Sequence, residues 1–90
     1  MYEKSINGVF FEEAKKYLKS ISEEEQGAIG RDIEELCHGK SDNVYTKQLH
    51  GRIREIISGN HRIIYFQMAT IIYFVSGFRK KKHKNARARD

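Results

Sequence analysis

A single cysteine, Cys37, in ninety residues excludes an internal disulfide. Its place at the end of an amphipathic segment reads as a small core residue rather than a nucleophile. The four histidines are scattered and none joins a Cys/His cluster at ligand spacing, so no structural zinc and no metal cofactor is expected. No stretch approaches the roughly 20 apolar residues of a membrane span. The first fifteen residues carry Glu3, Lys4, Glu12, Glu13 and Lys15 where a secretory segment would be apolar. These absences predict a cytoplasmic chain with no membrane contact. No internal repeat is present. Ninety residues make one domain, 1–90, with a modest core whose stability is marginal without a partner.

Acidic residues are missing from one place in particular. The segment 79–90 holds seven of the seventeen Lys and Arg but only one of the twelve Asp and Glu. Residues 1–78 contain ten basic and eleven acidic side chains, so the formal charge of +5 arises from the basic C-terminal segment. That segment follows the apolar run Ile71–Val75, which aims positive charge from the rim of a folded sheet at a polyanion, RNA or DNA. The plainer reading is a solubilising tail.

Along the chain, Tyr2–Ile6 reads as a short strand and Asn7-Gly8 as its break, opening a helix. Phe10, Ala14, Tyr17, Leu18 and Ile21 recur at helical spacing, with charged residues on the other faces. Ser22 and Glu25 match a capping box at the start of a second helix. Its buried stripe is Ile29, Ile33, Leu36 and Cys37, and Gly39 stops it. After the polar connection 39–43 the pattern turns β-branched and aromatic. Three strands are predicted, Ile53–Ser58, His61–Met68 and Ile71–Phe78, joined by Gly59-Asn60 and by a tight turn near Ala69-Thr70. The expected fold is α+β, an N-terminal helical hairpin packed on a small, mainly antiparallel sheet in two layers.

Strand alternation sets Arg52 and Arg54 on one face of the first meander strand and Ile53, Glu55 and Ile57 on the other. The arginine face is expected to be the open one. Arg62 lies in the next strand, across from the Arg54 region. Lys47, Arg52, Arg54, Arg62 and Lys80–Lys84 are thus expected to converge on one concave surface, unless Arg52 and Arg54 merely pair with helix carboxylates such as Glu34 or Glu35.

The runs Gln48-Leu49-His50-Gly51-Arg52-Ile53-Arg54-Glu55, Gly59-Asn60-His61-Arg62-Ile63-Ile64-Tyr65-Phe66 and Phe74-Val75-Ser76-Gly77-Phe78-Arg79-Lys80-Lys81 resemble the RelE/ParE superfamily of bacterial toxins. The resemblance is to its HigB-like, phage-derived branch and covers the whole chain. Its specific marks are Lys47-x-Leu49-x-Gly51, Arg62-x-x-Tyr65 and Gly77-Phe78-x-Lys80-Lys81. The resemblance implies a type II toxin that binds the ribosomal A site and cuts messenger RNA, held inactive by a co-transcribed antitoxin, expected to be a helix-turn-helix protein. A ParE-type inhibitor of DNA gyrase shares the fold, and a non-catalytic nucleic-acid-binding module, a decayed toxin, is the third alternative. The chain departs from the branch at Ile57, where a basic residue is usual, and at Lys84-Asn85-Ala86, where the branch tends to have Thr-Pro and a further helix.

Matched by position, the resemblance implies RNA-phosphate contacts at Arg52 or Arg54, Arg62, Lys80 and Lys81, with Lys84 in addition. Lys47, Arg79 and Lys82 extend the basic surface. Attack by a neighbouring 2′-hydroxyl requires removal of its proton, protonation of the leaving oxygen and stabilisation of charge on the phosphoryl oxygens. Arg62 and Arg54 suit the last role, because guanidinium grips phosphate in two-pronged fashion and does not act as a base. For proton transfer the candidates are His61 and His83, and Lys80, Lys81 and Lys84, whose mutual crowding favours proton loss. His61 beside a turn is expected at the surface. Tyr65 and Tyr73 are candidates for base stacking or for the core.

Overall fold

The computed structural model describes residues 7–81. The elements in order are β1 (Asn7–Phe10), α1 (Glu12–Lys19), α2 (Glu23–Cys37), a 3₁₀ turn at Ser41–Asn43, β2 (Thr46–His50), β3 (Ile53–Ser58), β4 (His61–Met68) and β5 (Ile71–Arg79). They form one five-stranded sheet in the order β1-β5-β4-β3-β2. β1 runs parallel to β5 and every other neighbouring pair is antiparallel. Both helices cover one face, so the fold is α+β as expected.

The second helix begins as its sequence dictates. Ser22 Oγ accepts a hydrogen bond from the Glu25 amide at 3.1 Å, and Glu25 Oε1 accepts one from the Ser22 amide at 3.2 Å, which satisfies two otherwise free donors. At the other end Gly39 takes φ +78°, the left-handed conformation that glycine reaches without steric cost. The core between the layers gathers Ala14, Ile21, Ile29 and Leu36 from the helical half, and Ile56, Ile63, Tyr65, Ile72 and Phe74 from the sheet. Phe10 stacks on Phe74 at a centroid distance of 4.7 Å.

Two strands differ from the expectation. The proposed strand over 2–6 lies outside the described residues, and Asn7-Gly8 continues a strand rather than opening a helix. Gly8 sits against Phe74, where an added Cβ would lie 3.2 Å from the ring, so its small size admits the close parallel pairing with β5. Phe10 accordingly belongs to β1, and α1 starts at Glu12. β2 is the second difference. Its mostly exposed, polar residues show no alternation because it is an edge strand, paired only with β3.

Between β4 and β5 the register shifts by one residue. Tyr65 pairs with Phe74 but Ile64 pairs with Ser76, so Val75 is an extra residue, a β-bulge. Beyond it Gly77 lies opposite Ile63 on the helix side, under the ring of Tyr17.

Candidate nucleic-acid interface

The register decides which side chains share a face. Ile56 and Ile63 are paired, fully buried core residues, which fixes the helix side of β3 and β4. Arg54 has the parity of Ile56 and pairs with buried Tyr65, so it lies on the helix side, at the margin of the core. Arg62 pairs with Ile57 and Phe78 and lies on the uncovered side. Arg54 and Arg62 therefore do not converge. The alternation within β3 is as expected; the helices cover the arginine face because Ile56, and not Ile57, is the residue they bury.

Arg54 donates from Nη2 to Thr46 Oγ1 at 2.8 Å and is half-buried. With Arg52, which sits in the turn after β2, it lines a hollow shared with Leu36, Asp42 and Tyr65. Neither arginine forms an ion pair with Glu34 or Glu35 among the described residues. Tyr65 is a core residue. Tyr73 faces the uncovered side, stacked on Phe66 at 5.0 Å.

The uncovered side brings together a different set. Arg62, Lys80 and Lys81 line one hollow of about 500 Å³ around the Gly59-Asn60 turn. Gly59 adopts φ +60° there, and the Lys80 amide donates to the Asn60 carbonyl at 2.7 Å, which ties the end of β5 to the turn. Arg62 Nη1 donates to the Gly59 and His61 carbonyls at 2.9 and 3.0 Å, so the guanidinium is oriented at the rim of the hollow. Three cations, one from β4 and two from just after the end of β5, thus line one concavity. Lys47 lies on the same side of the sheet, opposite Glu55 in the β2–β3 register. His83, Lys82 and Lys84 lie outside the described residues.

His61 departs from expectation. It is 5% exposed, because it carries the parity of Ile63 and points under α1. One ring nitrogen, Nδ1, bonds the Tyr17 hydroxyl, and the other, Nε2, lies 3.2 Å from Glu25 Oε2. With both nitrogens engaged on the helix side, His61 joins α1, α2 and β4 instead of facing a substrate. Arg79 is drawn to the same cluster, with Nη1 3.9 Å from Glu25 Oε2. The electrostatics follow this geometry. Hydrogen bonds from the Ser22 amide, then from His61 and the Ser22 hydroxyl, hold Glu25 below the ordinary carboxylate range. Burial raises the Tyr17 phenol, with Arg79 opposing and Glu25 reinforcing the shift. Burial likewise raises the Cys37 thiol, in keeping with a packing role.

One carboxylate on the uncovered side was not among the expected site residues. Glu55 is 7% exposed, and its Oε2 lies 3.9 Å from Arg62 Nε. Its sequence signal was the alternation that set it opposite Arg54. Once the covered face is known, the same alternation brings Glu55 to Arg62. Among the described residues no three His, Cys, Asp or Glu side chains converge as a metal site would require, and no helix is long and apolar enough to cross a membrane.

Residues 16–89 match the model of a family described as phage derived protein, Gp49-like. No curated protein matches the sequence at a significant level. Among solved structures the chain is similar to the isolated RelE toxin of E. coli, with a TM-score of 0.73 and 13% identity over 92% of this chain and 93% of that one. It is similar to the RelB–RelE antitoxin–toxin complex of Methanococcus jannaschii, with a TM-score of 0.69 and 20% identity over 79% of this chain and 88% of the other. The RelE–RelB complex of Pyrococcus horikoshii gives 0.62 and 16%, over 89% and 100%.

Proposed function

The chain belongs to the Gp49-like family of phage-derived proteins and has the fold of the RelE toxins, and from that premise we propose that it is the toxin of a toxin–antitoxin pair, acting in the cytoplasm as an endoribonuclease on messenger RNA at the ribosome. The observation that carries this reading is the convergence of Arg62, Lys80 and Lys81 on one hollow of the uncovered sheet side. Lys80 and Lys81 stand in sequence where the charge-balanced stretch 1–78 gives way to the basic segment, and clustered positive charge favours a nucleic-acid backbone.

Arg62 serves phosphate. Its guanidinium is held by two backbone carbonyls and still presents donors to the hollow, which suits it to stabilise charge as it develops on the phosphoryl oxygens. Lys80 and Lys81 add positive charge, and either ammonium can protonate a leaving 5′-oxygen. The antitoxin would be a small protein that lays an acidic or amphipathic segment over this surface, as favoured by charge complementarity. RelE is solved with RelB in two of the similar structures.

One observation favours a non-catalytic nucleic-acid-binding module instead. Ile57, the cross-strand partner of Arg62, supplies no charge where the resembling branch has a basic residue. The deciding experiment is induction of the chain alone in bacteria, with labelled amino-acid incorporation and mRNA ends followed in time. Arrested incorporation with new mRNA ends and normal DNA supercoiling is expected. Continued protein synthesis with accumulating double-strand breaks would place the target at gyrase, and binding without cleavage would leave the non-catalytic module.

A further inference from the structure

We propose that Glu55 is the general base of the cleavage step, an inference that rests on the ribonuclease reading above. Register makes Glu55 the one acidic strand residue among the described residues on the uncovered side of the sheet. It stands between Lys47 on β2 and Ile64 on β4, and diagonally from Arg62. Residues in that diagonal relation are close enough for long side chains to address one ligand.

Its bonding state is the second observation. Glu55 is buried to 7% exposure, yet among the described residues its carboxylate receives no hydrogen bond, and its nearest ionic partner is Arg62 at 3.9 Å. That separation exceeds hydrogen-bond length. A buried carboxylate is costly unless its oxygens are satisfied, and one left with free acceptor capacity beside a phosphate-binding arginine is a group reserved for a ligand donor. A 2′-hydroxyl adjoining a phosphate held by Arg62 is such a donor.

The step then balances. A Glu55 carboxylate oxygen takes the proton of the 2′-hydroxyl as the 2′-oxygen bonds to phosphorus. The bond from phosphorus to the 5′-oxygen breaks, and that oxygen leaves with the electron pair and takes a proton from the Lys80 or Lys81 ammonium. The products are a 2′,3′-cyclic phosphate and a 5′-hydroxyl. Glu55 returns its proton to water, and the lysine is reprotonated from water. The charged groups facing Glu55 are Lys47 from β2 and Arg62 from β4, with Lys80 and Lys81 at the rim. All are cations, so the carboxylate is the proton acceptor among the charged groups that face the hydroxyl.

The test uses the full chain on ribosomes programmed with a defined mRNA, comparing wild type with Glu55→Gln and Glu55→Asp. Glu55→Gln is expected to bind programmed ribosomes as tightly as wild type and to cleave on the order of 10²–10⁴-fold more slowly. Its rate should also lose the acidic limb of the wild-type pH profile. Glu55→Asp keeps the carboxylate and should keep that limb at a reduced rate. If Glu55→Gln does not fold, Glu55→Asp decides through the same limb. Wild-type rates and an unaltered pH profile in Glu55→Gln would overturn the assignment of Glu55 alone. A wild-type chain that cuts no RNA would remove the ribonuclease reading itself.

Discussion

Gly77 shows how tightly single residues are constrained around the site. A Cβ there would lie 2.6 Å from Tyr17 Cδ2 and 2.9 Å from Ile63 Cδ1, closer than packed atoms approach. Gly77→Ala should therefore displace the Tyr17 ring and cost about 1–3 kcal/mol, to be read from denaturant or thermal unfolding. The arginines give a contrasting pair. Arg62→Ala is expected to abolish cleavage, and because it also strips buried Glu55 of its nearest ionic partner, 3.9 Å away, the melting temperature should fall with it. Arg54→Ala should lose the bond to Thr46 and about 1 kcal/mol of stability while cleavage persists. Cleavage lost in Arg54→Ala and kept in Arg62→Ala would move the site to the other face of the sheet. Replacing Lys80 and Lys81 together by Arg keeps charge but removes an ammonium able to give up its proton. Binding should be unchanged and the rate should fall on the order of 10²-fold.

At the level of elements, the capping box is the local feature with the clearest energetic meaning. Ser22→Ala should cost α2 about 1 kcal/mol, measurable as a lowered unfolding midpoint. Glu25 adds a pH dependence of known sign. Its folded-state pKa lies below the unfolded value, so its contribution is fully present above the ordinary carboxylate range and is lost as pH falls through the lower, folded value. Acid unfolding of Glu25→Gln should accordingly show a weaker loss in that window than wild type. The elements also show where sequence was sufficient. The capping box, the glycine stop at Gly39 and the turns at Gly59-Asn60 and Ala69-Thr70 are local signals, and α2, β3, β4 and β5 begin and end close to where those signals place them. β1 is held by a parallel partner more than sixty residues away, and Asn7-Gly8 carries the look of a break. β2 is an exposed edge with no buried periodicity. For the site, the convergence of Arg62, Lys80 and Lys81 was legible because the chain brackets one short turn. The face was not: Ile56 and Ile57 are adjacent and equally apolar, so alternation alone leaves open which of them the helices bury. The place of His61 was hidden for the same reason.

For the molecule as a whole, charge is divided between a balanced stretch, 1–78, and a basic C-terminal segment, 79–90. RNA or ribosome binding should weaken steeply with salt, and Lys80→Ala or Lys81→Ala should each reduce the slope of log K against log salt by roughly one. A small domain of this kind should also gain stability from its antitoxin by mass action, so that co-expression raises both yield and melting temperature. A chain that is harmless alone and gains nothing from a neighbouring gene's product would contradict the toxin–antitoxin reading. The bulge at Val75 carries a consequence for chain length. Because Val75 is the surplus residue, a chain lacking it would pair Phe74 with Tyr65 and Ser76 with Ile64 in unbroken register, leaving Gly77 under Tyr17 and Phe78 beside Arg62. What such a deletion removes is the added twist that a bulge imposes on the sheet. The membership of the site and the curvature of the surface that holds it can thus be separated by one codon.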